Sequence, residues 1–181
     1  MADCSGDRHM LTLSLLRHAK SSWDEPDLPD HERTLSKRGT KAATEIGRYI
    51  ERNEGRPELI LSSDSVRTRA TVSLVLAELS GNPPEVVFDE GLYLALPAMI
   101  LERLRKVKGG LKHVMVVGHN PGLHALALSL TGSGDHKAIQ KMAMKFPTAG
   151  LAVITFDADD WNAIKPAAGT LKDFIIPREL A

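Results

Sequence analysis

Arg17 and His18 close a short apolar run, Thr12-Leu13-Ser14-Leu15-Leu16, and are followed by Ala19 and Lys20. Such a pair suits a phosphoryl group. A guanidinium offers a fixed fork of donors to phosphate oxygens, and a neutral imidazole can attack phosphorus or move a proton. The pattern returns later in the chain, where the apolar run Val114-Met115-Val116-Val117 ends in Gly118-His119-Asn120-Pro121-Gly122. Two strands that each deliver a histidine at the carboxyl end point to one site, because open α/β sheets bind ligands there. The turn at Gly118–Gly122 also aims the amino end of the next helix at the strand ends, a natural place for an anion.

A third constellation follows Leu59-Ile60-Leu61. Ser62-Ser63-Asp64-Ser65 supplies capping side chains for a helix, and Arg67 falls in that helix's first turn. A cation there opposes the helix dipole, so Arg67 makes most sense facing an anion. Arg69 reads as a solvated surface residue. Arg33 closes a loop rich in carboxylates (Asp24, Glu25, Asp27, Asp30 and Glu32), and its two readings are a salt bridge to those neighbours or a place at the pocket. His9, His31, His113, His124 and His136 belong to no such motif and read as surface or core histidines.

Competing phosphate chemistries find little support. The chain has no Gly-x-x-x-x-Gly-Lys loop and no Gly-x-Ser-x-Gly elbow. Cys4, the sole cysteine, has no arginine six positions on. A strand ending in Asp157-Ala158-Asp159 imitates the aspartyl-phosphate start of haloacid-dehalogenase-type phosphatases. Only 24 residues follow Asp157, too few for the rest of that machinery, so it reads as a solvated strand end.

The elements that must position these residues alternate as in an α/β domain. Strands are expected at Leu11–Leu16, Leu59–Leu61, Glu85–Phe88 and His113–Val117, with Leu151–Phe156 as an edge or final strand. A proline-bearing loop spans Ser21–Thr34. Ser36 is the expected cap of a helix that ends at Asn53-Glu54-Gly55. Further helices are expected at about Val66–Leu79, from Pro97 to about Lys108, and at Leu123–Leu130. The tail, with Trp161, Ile164 and Phe174-Ile175-Ile176, is expected to pack against the sheet. The whole of 1–181 reads as one domain, with residues 1–10 as a flexible amino-terminal extension.

Composition bounds the partners. The 181 residues are 43% hydrophobic and 25% charged, with 23 basic residues balancing 23 acidic ones. That balance gives no electrostatic reason to expect nucleic acid or an anionic membrane. One cysteine makes no internal disulfide, no Cys/His group has zinc spacing, and no apolar run approaches the length of a membrane span. The start lacks the pattern of a signal peptide, so a cytoplasmic setting is expected.

Together these motifs resemble the histidine phosphatase superfamily, and within it the SixA-type phosphohistidine phosphatases. The resemblance rests on Arg17-His18-Ala19-Lys20-Ser21, Arg33-Thr34-Leu35-Ser36-x-x-Gly39, Gly118-His119-Asn120-Pro121-Gly122 and Phe146-Pro147-Thr148-Ala149-Gly150. The tail Trp161…Leu171-Lys172-Asp173-Phe174-x-x-Pro177-Arg178 adds to it. It implies a single-domain three-layer sandwich of phosphoglycerate mutase-like type, with a mostly parallel central sheet flanked by helices. It implies His18 as nucleophile, Arg17, Arg67 and His119 as holders of the phosphoryl oxygens, and Arg33 at the border of the substrate pocket. Two positions depart from the family pattern: Ala19 stands where a glycine is usual, and Asp64 where a loop proline is common.

Three cationic or donor groups can do the work of a metal ion, so neither metal nor cofactor is implied. An ordinary phosphomonoesterase also needs a general acid for its leaving group. Asp24, Asp89 and Glu90 are the candidates, and each also reads as a surface carboxylate. Without an acid, a substrate with an easy leaving group is favoured, such as phosphohistidine in a protein. A small phosphorylated molecule (a phosphomonoesterase or mutase reaction) and a phosphate-binding module without turnover are the alternatives. Inorganic phosphate is the expected product.

Overall fold

The computed structural model describes residues 10–180. Cys4, His9 and the expected extension over residues 1–9 lie outside the described residues. Met10, expected in that extension, opens the first strand. Seven strands form one sheet: β1 (Met10–Arg17), β2 (Leu59–Ser63), β3 (Glu85–Asp89), β4 (His113–Gly118), β5 (Thr131–Gly134), β6 (Leu151–Asp157) and β7 (Gly169–Ile175). Their order is β3-β2-β4-β1-β6-β7-β5. β1, β4, β2 and β3 run parallel, β6 runs antiparallel to both its neighbours, and β5 pairs in parallel with β7.

Five helices cover the two faces: α1 (Lys37–Tyr49), α2 (Val66–Leu76), α3 (Pro97–Arg105), α4 (Gly122–Leu130) and α5 (His136–Met144). Period-two alternation in the strands sorts the core. Leu11, Leu13 and Leu15 join Val114, Val116 and Ile154 against Ile100 and Leu104 of α3, Leu126 and Leu130 of α4, and Met142 of α5. Leu16, Met115, Val117, Leu151 and Val153 face the other way, onto Ala43 and Ile46 of α1 and Val72 and Val75 of α2. Each fully buried leucine or valine contributes about 1.5–3 kcal/mol. The three-layer α/β sandwich expected from the resemblance is the architecture found.

Several expected elements are corrected. Leu151–Phe156 is no edge or final strand: β6 lies between β1 and β7. The tail does not merely pack on the sheet, since Gly169–Ile175 pairs with β6 as β7. β5 and α5 were not expected at all. α2 stops at Leu76 and α3 at Arg105, short of the expected ends. Among the described residues no helix is long and apolar enough to cross a membrane.

Register places the site. Arg17 stands opposite Gly118, and Ser62 opposite Val117. Ser63, Gly118 and Arg17 therefore form one row across three parallel strands, about 4.8 Å apart, and the chain leaves that row into three loops on one side. Asp157, in contrast, pairs with Met10 at the far end of β1. That is roughly 25 Å from His18 by strand rise, so the Asp-x-Asp sequence takes no part in the site.

Candidate active site

His18 follows the end of β1, with its N–H donated to Gly118 O at 3.0 Å. Its ring lies over the strand ends and is 8% exposed. Nδ1 is 2.8 Å from Ala19 O. A carbonyl only accepts, so Nδ1 carries the proton and the neutral ring keeps its lone pair on Nε2. The ring's pKa is lowered to about 4. Burial is the largest cause, the bond to Ala19 works against it, and Arg67 and Arg17 add to it.

Ala19 itself is fully buried, and its N–H is 3.0 Å from Thr71 Oγ1 on α2. The alanine that stands at the family's usual glycine is thus accommodated inside the core. Gly39 explains the spacing of the Ser36-x-x-Gly39 sequence. Ser36 caps α1 by accepting from Gly39 N at 3.1 Å, and a Cβ at Gly39 would lie 2.1 Å from Lys20 O. Only glycine lets α1 close on the segment that follows His18.

Arg17 is fixed by the Phe146–Gly150 segment. Its Nη1 donates to Phe146 O at 3.0 Å, and its backbone N–H donates to Gly150 O at 3.0 Å. Ala149, at φ 56°, donates to both Arg17 O and His18 O at 3.1 Å. Asn120 Nδ2 donates to the same Phe146 carbonyl at 2.9 Å, tying the His119 turn to the Arg17 clamp. Arg17 Nε is buried without a hydrogen-bond partner, so part of the guanidinium fork is unused within the protein.

His119 begins the turn after β4, and its ring centroid is 5.1 Å from that of His18. Its Nδ1 is 3.4 Å from Arg67 Nη2, and its Nε2 is 2.9 Å from Ser63 Oγ. A guanidinium only donates, so Nδ1 accepts and Nε2–H donates to Ser63. The pKa is lowered to about 3, mainly by burial, then by His18 and Arg67. A Cβ at Gly122 would lie 1.9 Å from Ala95 O, so that glycine seats α4 under the loop carrying Tyr93 and Leu94.

Arg67 reaches back from the first turn of α2 and is 4% exposed. The anion that its position demands is partly internal. Arg67 Nη2 lies 2.8 Å from Asp30 Oδ2, and Nη1 donates to Asp30 O. Asp30 also accepts from Tyr93 OH at 2.5 Å and from Arg33 Nη1 at 3.3 Å. Its pKa falls to about 2, first through the tyrosine bond and then through Arg67 and Arg33, with partial burial opposing. Arg33 realises both of its readings: it pairs with Asp30 and lines the cleft, packed 3.3 Å over the Trp23 ring.

The cleft has a volume of about 410 Å³. Arg17, His18, Arg33, Arg67 and His119 all line it, with Lys20, Trp23, Asp30, Leu94 and Thr148. All five residues singled out in the sequence therefore converge. Asp24, Asp89 and Glu90 are not part of the lining. Asp89 is held by Arg103 Nε at 2.8 Å and caps the next turn through Gly91 N. Asp30, Tyr93 and Ser63 were missed as site residues, although Asp30 stands three residues before Arg33. His31, expected to be incidental, donates to Asp64 at 2.8 Å and stacks edge-on to Tyr93. Asp64, where a proline is common in the family, thus ties the Arg33 loop to the start of α2. Arg69 is exposed as expected, lying over Phe88 at 4.0 Å.

Comparison with known proteins shows the family and the fold. Residues 13–93 match the family model of the histidine phosphatase superfamily, branch 1. An uncharacterised protein of Mycobacterium leprae is 34% identical over 167 residues, covering 90% of this chain and 100% of that protein. A structure from Agrobacterium tumefaciens, assigned there to phosphohistidine phosphatase SixA, superposes with a TM-score of 0.77 at 29% identity, covering 92% of this chain and 98% of that one. One from Nakamurella multipartitia with the same assignment gives a TM-score of 0.81 at 24% identity, covering 93% and 96%. The chain belongs to the histidine phosphatase superfamily and stands with its SixA-type members.

Proposed function

We propose that this protein hydrolyses phosphohistidine in proteins or peptides, with His18 as the nucleophile. The observation that carries the reading is the His18 tautomer: Nδ1–H is committed to Ala19 O, which leaves the Nε2 lone pair in a cleft lined by Arg17, Arg67 and His119.

Nε2 attacks phosphorus in line, and the bond from phosphorus to the leaving nitrogen breaks. Its electron pair stays on the departing imidazole, which leaves neutral when its other nitrogen carries a proton. Arg17 and Arg67 stabilise charge on the equatorial oxygens. A bound dianion also offsets the field that keeps His119 neutral. To donate to a phosphoryl oxygen the ring must take a proton at Nδ1, supplied by solvent or by the incoming phosphoryl group; otherwise it stays neutral and orients Arg67 through Nδ1. Water next attacks the phosphorylated His18, releasing inorganic phosphate and restoring the neutral ring.

The leaving group is where the cleft favours phosphohistidine. Asp30 is the carboxylate among the lining residues, and at a pKa of about 2 it is ionised and cannot donate a proton. An alkoxide leaving group needs such a donor, and a protonated phosphoimidazole does not. The test is turnover of a phosphohistidine peptide beside a panel of phosphate esters and sugar phosphates. The reading expects kcat/KM on the peptide to exceed every ester. A faster sugar phosphate would move the protein to the small-molecule phosphomonoesterases.

A further inference from the structure

A second cleft, of about 360 Å³, opens beside the first, and Lys20 and Thr148 line both. Its rim carries Lys20, Arg38, Lys141, Lys145 and Arg178 against one carboxylate, Glu179. Glu179 is already committed to Lys141, at 2.7 Å. Lys20, Arg38, Lys145 and Arg178 form no ion pair among the described residues. In a chain whose charges balance overall, this is a local excess of unneutralised cations.

Local structure accounts for only part of it. Lys141 and Lys145 stand at the carboxyl end of α5, where cations suit the helix dipole. Arg38 stands in the first turn of α1, where the dipole disfavours it and where no acidic residue offsets it. Between the cations the lining is apolar: Ala42, Pro147, Ile176 and Met144, which is 87% exposed.

We infer that this groove binds an acidic polypeptide segment adjoining the phosphorylated residue of a protein substrate. The inference rests on the reading of the first cleft as a phosphoprotein site, because Lys20 leads directly from one cleft to the other. Charge complementarity selects an anionic occupant. The apolar lining selects a polypeptide over a polyphosphate, which has no apolar surface to bury.

Three peptides with the same central phosphohistidine and acidic, neutral or basic flanks test the groove on the full chain. Individual exposed ion pairs are weak, but several together give about tenfold. The expected result is a kcat/KM about tenfold higher for the acidic flank than for the neutral one. Added salt should shrink that advantage. The double variant Lys145→Glu/Arg178→Glu cancels the net positive charge of the lining and should abolish the preference for the acidic flank, and Arg38→Glu alone should weaken it. Anisotropy of a labelled, unphosphorylated acidic peptide reads the groove without turnover. Binding lost in the double variant therefore supports the groove even if phosphohistidine proves a poor substrate. Equal kcat/KM for all three flanks, with no binding of the labelled peptide, would overturn the proposal. So would displacement of that peptide by tripolyphosphate at lower concentration than by unlabelled peptide, which would give the groove to small polyanions.

Discussion

Asp30 Oδ2 lies 2.8 Å from Arg67 Nη2, so the arginine that faces the cleft already holds an anion of the protein's own. Asp30 orients Arg67 and Arg33, but its charge also opposes an incoming phosphoryl group. Asp30→Asn keeps an oxygen for Arg67 and removes the charge. At a few ångströms and an effective dielectric near 20, with Asp30 half exposed, the expected effect is inhibition by inorganic phosphate about threefold to tenfold tighter. Steady-state inhibition constants check it, and unchanged or weaker inhibition would reduce Asp30 to a scaffold residue.

As the proposed nucleophile, His18 must be neutral, so its ionisation sets the acid limit. A free histidine titrates near 6.5, while His18 is lowered to about 4 by burial and by Arg67 and Arg17. Its ring therefore stays nucleophilic throughout the range from neutrality down to about pH 4. Asp30 raises this pKa, so Asp30→Asn should move the midpoint lower still. NMR titration of the His18 ring measures both, and a midpoint near 6.5 would contradict the buried, arginine-flanked ring.

Stability should show the same sign. His18 and His113 fall to about 4 and His119 to about 3 in the folded chain. Unfolded rings titrate near 6.5, so between these values the unfolded chain binds more protons. Stability is full above about pH 6.5 and is lost as pH falls toward 4, by about 1.4 kcal/mol per pH unit for each ring. His113 starts β4, bonded to Ser14 Oγ at 2.9 Å, at the end of the sheet away from His119. His113→Gln should therefore flatten the loss without touching the cleft, as read from urea midpoints at several pH values.

Ser63 is the acceptor for His119 Nε2–H, at 2.9 Å. Ser63→Ala leaves a buried donor unpaired, a cost of roughly 1–3 kcal/mol, and frees the ring to turn. A fall in kcat of about tenfold or more is expected, with the fold unchanged by circular dichroism. Full activity in this variant would mean that His119 needs no orientation.

Cationic and imidazole side chains that close a motif are legible in the sequence, Arg33 in its carboxylate-rich loop among them, whereas Ser63, Asp30 and Tyr93 carry no such signal. Arg17, His18 and His119 each follow a run of apolar residues directly, and Arg67 stands out by opposing its own helix dipole. Asp30 and Tyr93 come from separate loops, and their meeting depends on a long-range path that no local pattern encodes. β5, Thr131-Gly132-Ser133-Gly134, has no apolar residue to announce it. β7 did carry a signal: Gly169 and Leu171 face inward while Thr170 and Lys172 face outward. Asp173, a charge at the next inward position, breaks that alternation, so the tail reads as packing rather than pairing. β6 was misplaced at an edge for the same reason, because the strand that covers it went unrecognised.

The central claim is that phosphorus passes through His18. Rapid quenching with a labelled phosphoryl donor, followed by peptide mapping, tests it most directly. The account predicts an acid-labile, base-stable phosphoryl adduct on His18, lost together with turnover in His18→Ala while the fold persists. An adduct on another residue, or turnover that survives in His18→Ala, would contradict it.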